Sequence, residues 1–252
     1  MTKMQNPFVW HDLMTTDVGA AKKFYGDVVG WKFEAQMPSY TVALVNGAGM
    51  GGIMATPPDA KGMPPFWAGY VYTPDVDAAC AQAKTLGGTI CREPWDIPGV
   101  IRMAVLADPT GATFNIMQPL STEQRDMPKS DAIGAVGWNE AHVGDLDAAW
   151  KFYSEMFGWT KGTVMPMGEM GDYMLFQIDG KDIGGMMKQQ KMLPMPMWLY
   201  YFNVDGIDAA AKRITKAGGK IAMGPHQVPG GQWIVSGFDP QGANFNLLSA
   251  KK

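Results

Sequence analysis

The chain has 252 residues, of which 46% are hydrophobic, 18% charged and 11% aromatic, and a formal net charge of -3. That length suits one large domain or two small ones, and the composition is that of a globular core, which excludes disorder, collagen and a coiled coil. The charge balance offers no basic surface to nucleic acid, no run approaches ~18 consecutive apolar residues, and Cys80 and Cys91 form neither a disulfide framework nor a CxxC metal spacing. No apolar signal-peptide core precedes His11 and Asp12, so the expectation is a reduced, cytoplasmic protein without a membrane segment.

Along the chain, the segment FVWHDLMT reads as a strand and Asp17 as the N-cap of a helix. Val18, Ala21, Tyr25 and Val28 recur at helical spacing, and Gly30 ends the run. Three β-prone runs follow, WKFEAQ, YTVALV and GGIMA, separated by turn residues. The order then recurs. A second helix carries Val76, Ala79, Cys80, Ala83 and Leu86 and stops at Gly87-Gly88. A third carries Leu146, Ala149, Tyr153 and Met156 and stops at Gly158. A fourth carries Ile207, Ala210, Ile214 and Ala217 and stops at Gly218-Gly219. One strand, one helix and about three strands make a βαβββ module, written four times.

The two halves of the chain are also copies of each other. The segment WHDLMTTDVGAAKKFYGDVVGW from Trp10 matches WNEAHVGDLDAAWKFYSEMFGW from Trp138 at nine of 22 positions, among them Asp17/Asp145, Phe24/Phe152, Tyr25/Tyr153 and Trp31/Trp159. DPTGATFNIMQ from Asp108 corresponds to DPQGANFNLLS from Asp239, and Gly51-Gly52 to Gly184-Gly185. Repetition of this kind decides architecture before any single residue does. It predicts a domain over 1–120, a polar linker at 121–132 and a second domain over 133–252.

Paired βαβββ modules, an Asp–x6–Phe-Tyr helix ending in Gly-Trp and a closing Asp-Pro-x-Gly strand resemble the vicinal oxygen chelate superfamily. Glyoxalase I, bleomycin-resistance proteins and extradiol dioxygenases belong to it. The resemblance covers nearly the whole chain and implies an α+β fold: two tandem glyoxalase-like domains, each an open curved sheet or barrel around a cavity. It also implies where a divalent metal would be held: near the start of each module's first strand, and on the last strand past Asp-Pro-x-Gly. This chain has Trp10 and Trp138 at the first-module positions, Ala68 and Leu199 near the second-module ones, and Asn115 and Asn246 on the closing strands. These are not metal-anchoring side chains, so no metal or other cofactor is expected.

Strand alternation sends Asp12 and Met14 to the face of Trp10, and Glu140 and His142 to the face of Trp138. The same rule turns Tyr70 with Asn115, and Tyr201 with Asn246, inward. Aromatic walls with few polar groups suit a small-molecule ligand. Trp10, Asp12, Tyr70, Asn115, Trp138, Tyr201 and Asn246 are therefore the candidate ligand-binding residues, though the tryptophans serve equally as core packing. Glu140 and His142 are the candidate catalytic pair, because a carboxylate and an imidazole on one face can share acid–base work; with His226 they could also hold a metal in another arrangement. Sequestration or detoxification of an apolar or aromatic compound is the leading function. A lyase, isomerase or dioxygenase using Glu140 and His142, or a scaffold with filled cavities, are the alternatives. The small molecule is the expected partner of a monomer or homodimer. The stretches 57–65 and 189–197 join modules and are candidate flaps.

Overall fold

The computed structural model describes residues 5–57, 60, 62–121 and 126–252. The first half runs β1 (Phe8–Thr15), α1 (Val18–Val29), β2 (Lys32–Met37), β3 (Tyr40–Val45) and β4 (Ala48–Ala55), then β5 (Phe66–Tyr72), α2 (Val76–Thr85), β6 (Thr89–Ile97), β7 (Ile101–Ala107) and β8 (Thr113–Pro119). The second half repeats it: β9 (Val136–Val143), α3 (Leu146–Phe157), β10 (Thr160–Pro166), β11 (Asp172–Ile178) and β12 (Lys181–Lys188), then β13 (Met197–Asn203), α4 (Ile207–Lys216), β14 (Lys220–Gln227), β15 (Trp233–Phe238) and β16 (Asn244–Ser249). Four βαβββ modules are thus present, as the repeat implies. The strands form two eight-stranded sheets, ordered β2-β3-β4-β1-β5-β8-β7-β6 and β10-β11-β12-β9-β13-β16-β15-β14. Both end in edge strands and are open rather than closed barrels. Of the linker, residues 122–125 lie outside the described residues, as do 58, 59 and 61 of the first flap.

The helix ends follow from local chemistry. Asp17, Asp75 and Asp145 each accept the backbone N–H three residues on, at 2.8–2.9 Å, which satisfies one of the donors orphaned at a helix start. Gly30 and Gly158 end α1 and α3 in the left-handed region, at φ 91° and 70°. The fourth helix departs from this pattern: Gly206 stands at its N-cap and no side chain caps it. Asp205, one residue earlier, pairs instead with Arg213 at 2.7 Å.

The chain packs as two compact units that do not coincide with its two halves. One comprises Met1–Val9, Gly69–Gln124 and Asn139–Leu199; the other comprises Trp10–Ala68, Arg125–Trp138 and Tyr200–Lys252. Each takes one module from each half. In the second unit, α1 and α4 share a core in which Phe24 meets Phe245 at 5.3 Å, and Tyr25 stacks on Trp31 at 5.2 Å. Tyr25 donates to Asp239 Oδ2 at 3.1 Å and accepts from the Trp67 indole at 3.0 Å. Burial pushes both the Tyr25 phenol and the Asp239 carboxyl up from their ordinary pKa values, with the Asp239 charge adding to the rise at Tyr25. In the first unit Tyr153 and Trp198 repeat the device at 2.9 Å, and Tyr153 stacks on Trp159 at 5.6 Å. The Phe-Tyr and Gly-Trp signatures that make the repeat visible are therefore core residues joining modules from different halves.

Candidate functional site

On β1, Asp12 is buried and its carboxylate is the focus of a triangle of hydrogen bonds. The Trp10 indole N–H donates to Asp12 Oδ1 at 2.8 Å and to the Tyr40 hydroxyl at 2.7 Å, and that hydroxyl donates to Asp12 Oδ1 at 2.7 Å. Trp10 and Asp12 lie two residues apart on one strand face; Tyr40 reaches them from β3, across β4. Glycine makes that reach possible. Gly52 pairs with Asp12 in the parallel β1–β4 ladder, and a Cβ on it would lie 2.1 Å from the Tyr40 oxygen. Its neighbour Gly51 lets the two backbones approach, since a Cβ there would fall 2.0 Å from the His11 carbonyl oxygen. His11, on the opposite parity, packs edge-on against Tyr200 at 4.7 Å.

The first unit holds the second-half version. Glu140 stands where Asp12 stands, Tyr173 on β11 donates to its Oε2 at 2.8 Å, and Gly185 makes room for the ring. His142, at the position of Met14, brings Nε2 to 2.9 Å from Glu140 Oε1. Its side chain is 7% exposed and that of Glu140 13%. The two residues read as a pair from strand parity are therefore in direct contact. His142 Nδ1 is buried and has no hydrogen-bond partner among the described residues. Trp138 is half-buried on β9.

The remaining candidates sit on β5 and β8 of the first sheet and on β13 and β16 of the second. Tyr70 pairs with Asn115, Asn115 with Val105, and Val105 with Arg92; one row along, Tyr72, Met117, Met103 and Trp95 are paired in the same way. In-register pairs point to one side, so these residues share a face of β5-β8-β7-β6. Asn115 is 4% exposed. The Arg92 guanidinium lies 3.8 Å over the Trp95 ring at the sheet edge. In the second half Tyr201 pairs with Asn246, and the Asn246 amide donates to Tyr200 O and Asn244 Oδ1, each at 3.4 Å.

Tyr40, Tyr173, Arg92 and Trp95 were not singled out by sequence. A signal for the tyrosines did exist: both open the apolar run before a Gly-Gly pair, in SYTVALV and DYMLFQI.

The donor set at the positions that the family resemblance assigns to a metal does not fit a divalent cation. The Trp10 and Trp138 indoles are donors only, Ala68 and Leu199 have no side-chain heteroatom, and Asn115 and Asn246 are neutral amides. Glu140 and His142 supply two donors, and no three His, Cys, Asp or Glu side chains among the described residues gather as a metal-holding group. His226 sits on β14 opposite Ile234 and belongs to no such group.

Tandem βαβββ modules in two open eight-stranded sheets define a protein of the glyoxalase fold class. The chain belongs to the Glyoxalase/Bleomycin resistance protein/Dioxygenase superfamily, whose family model matches residues 7–116 and 135–247. CFP32 of Mycobacterium tuberculosis, named as a candidate glyoxylase, is 34% identical over 250 residues, covering 95% of this chain and 93% of the relative. The anthracycline biosynthesis protein DnrV of Streptomyces peucetius is 28% identical over 274 residues, covering 96% and 93%. Among solved structures, the Mn(II)-bound glyoxalase from Novosphingobium aromaticivorans superposes with a TM-score of 0.68 at 16% identity, covering 100% of this chain and 83% of that one. The 2,3-dioxygenase LapB from Pseudomonas sp. KL28 gives 0.67 at 11% identity, covering 100% and 94%. The likeness to these two structures is one of fold.

Proposed function

We propose that the chain binds an aromatic or apolar small molecule, and that it does so without a resident divalent metal. Asn115 is the observation that carries this reading. The residue is 4% exposed and shares its sheet face with Tyr70, Val105 and Arg92 in one row and Tyr72, Met117, Met103 and Trp95 in the next. Aromatic and thioether walls with a few polar groups, here Asn115 and Arg92, are the usual make-up of a small-molecule site. The donor set argued above is the support for metal independence. The relative named for anthracycline biosynthesis makes a planar polycyclic the first ligand to try, and sequestration or detoxification the role that fits such binding.

The test is a titration of the protein with an anthracycline, followed by ligand fluorescence, before and after dialysis against EDTA. Affinity unchanged within about twofold, and weakened roughly tenfold or more in Asn115→Leu, is expected; tenfold corresponds to ~1.4 kcal/mol. Affinity that vanishes on chelation and returns with added Mn(II) or Zn(II) would overturn the metal-free reading.

A further inference from the structure

We propose that the second half holds a proton-transfer site, in which His142 Nδ1 takes the proton of a weakly acidic hydroxyl, phenolic or enolic, on a bound small molecule. Glu140 and Tyr173 are positioning residues. This rests on the reading that the protein binds such a molecule, and adds the chemical class of the group recognised.

Three observations converge. The Tyr173 hydroxyl donates to Glu140, which makes the carboxylate the acceptor in the cluster. His142 Nε2 then carries the hydrogen that points at Glu140 Oε1, and Nδ1 is left with a lone pair. That nitrogen is buried and unpartnered, and a buried acceptor without a donor calls for an occupant. The first half supplies an internal contrast. It keeps the carboxylate, the tyrosine and the accommodating glycine, but places Met14 where the second half has His142. The frame is shared and the titratable ring is not.

In the step itself, the Nδ1 lone pair forms an N–H bond as the ligand O–H bond breaks, and the bonding electrons stay on oxygen. The ligand gains one negative charge and the ring one positive charge. The imidazolium then lies between the new oxyanion and the Glu140 carboxylate, 2.9 Å away, away from bulk solvent, where attraction between opposite charges is strengthened. Other charged residues of the neighbouring strands, Asp172 on β11 and Lys181, Asp182 and Lys188 on β12, are exposed, and Asp182 is bonded to Gln177.

The experiment uses 4-nitrophenol, whose ionised form absorbs in the visible and whose neutral form does not. With the full-length protein in excess, one pH unit below the probe's own pKa, the bound probe is expected to show a severalfold larger phenolate band than free probe. His142→Met, the side chain that the first half carries, abolishes the gain. Glu140→Gln retains bound probe by equilibrium dialysis but loses most of the added phenolate. A bound probe that stays neutral, or a phenolate gain that survives in His142→Met, would overturn the proposal and leave Nδ1 to a trapped water. Should His142→Met not fold, the 15N resonance of His142 Nδ1 in the unsubstituted protein decides the same question: it moves upfield if the ring takes the proton and stays in place if it does not. Retention of an anthracycline but not of 4-nitrophenol sinks this proposal alone; retention of neither sinks the binding reading with it.

Discussion

Replacing Gly52 by alanine isolates what the Gly-Gly pairs do. The added Cβ would lie 2.1 Å from the Tyr40 oxygen, 2.2 Å from Cζ and 2.5 Å from Asp12 Oδ1, all far inside contact distance. Gly52 is not among the residues at positive φ, so the collision and not the backbone carries the penalty. The Tyr40 ring must swing away, and its bonds to Asp12 and from Trp10, both 2.7 Å, are lost. A bond to a charged group contributes ~1.5–3 kcal/mol and a neutral one ~1, so the expected destabilisation is about 2.5–4 kcal/mol. At ~2–4 °C per kcal/mol for a chain of this size, Tm falls by roughly 5–15 °C. Equilibrium urea unfolding of Gly52→Ala, Tyr40→Ala and the double variant measures the coupling. Once the ring is gone, only the contact with Asp12 Oδ1 remains, so alanine at position 52 should cost clearly less than in the unsubstituted protein. An undiminished cost in the Tyr40→Ala background would show that the tyrosine is not what the glycine accommodates, and would refute the reasoning.

Other predictions follow from the same structure. Gly185→Ala displaces Tyr173 and should lower the phenolate gain of the nitrophenol assay while a probe of global stability falls by a similar 2–4 kcal/mol, about one charge-assisted bond plus its desolvated partner; full phenolate gain would contradict it. Tyr25→Phe strips a buried partner from both Trp67 and Asp239 and should destabilise by about 2–5 kcal/mol in denaturant unfolding, against well under 1 kcal/mol for an exposed Tyr→Phe change. Asp239 gives a pH signature: its folded pKa is raised by burial, so its favourable contribution is complete below the ordinary value of 3.8 and is lost as pH rises through the folded value. Relative to Asp239→Asn, the unsubstituted protein should lose stability across that window as pH rises, and parallel stability–pH curves would remove the assignment.

The fold was largely legible because repetition is a property of order, and order survives in a sequence. Asp17, Asp75 and Asp145 as caps, and Gly30 and Gly158 as ends, need only local chemistry, which the chain states directly. Glu140 and His142 were legible as a pair because strand parity is local too. Tyr40 and Tyr173 were not, since each reaches its carboxylate diagonally across an intervening strand, and that reach depends on register and on a missing Cβ. Arg92 sits between two register shifts on β6 and Trp95 follows the second, so parity counted along the strand gives conflicting faces. The partition of modules was hidden for a different reason. Two nearly identical halves offer the same apolar helix faces, and nothing in their patterns says which copy of a module packs against which.

That partition has a consequence for how the protein is made. The Tyr25 hydroxyl and the Asp239 carboxylate that binds it are 214 positions apart in the chain. At ~5–20 residues per second, a ribosome takes roughly 10–40 s to supply the second after the first. Through that interval the apolar side of α1, with Phe24 and Tyr25, waits without Phe245, while the first unit, whose modules are adjacent in sequence, can already close once residue 199 has left the exit tunnel. The earliest-made helix is thus among the last to be covered. Its apolar side therefore stays open to chaperones through that whole interval.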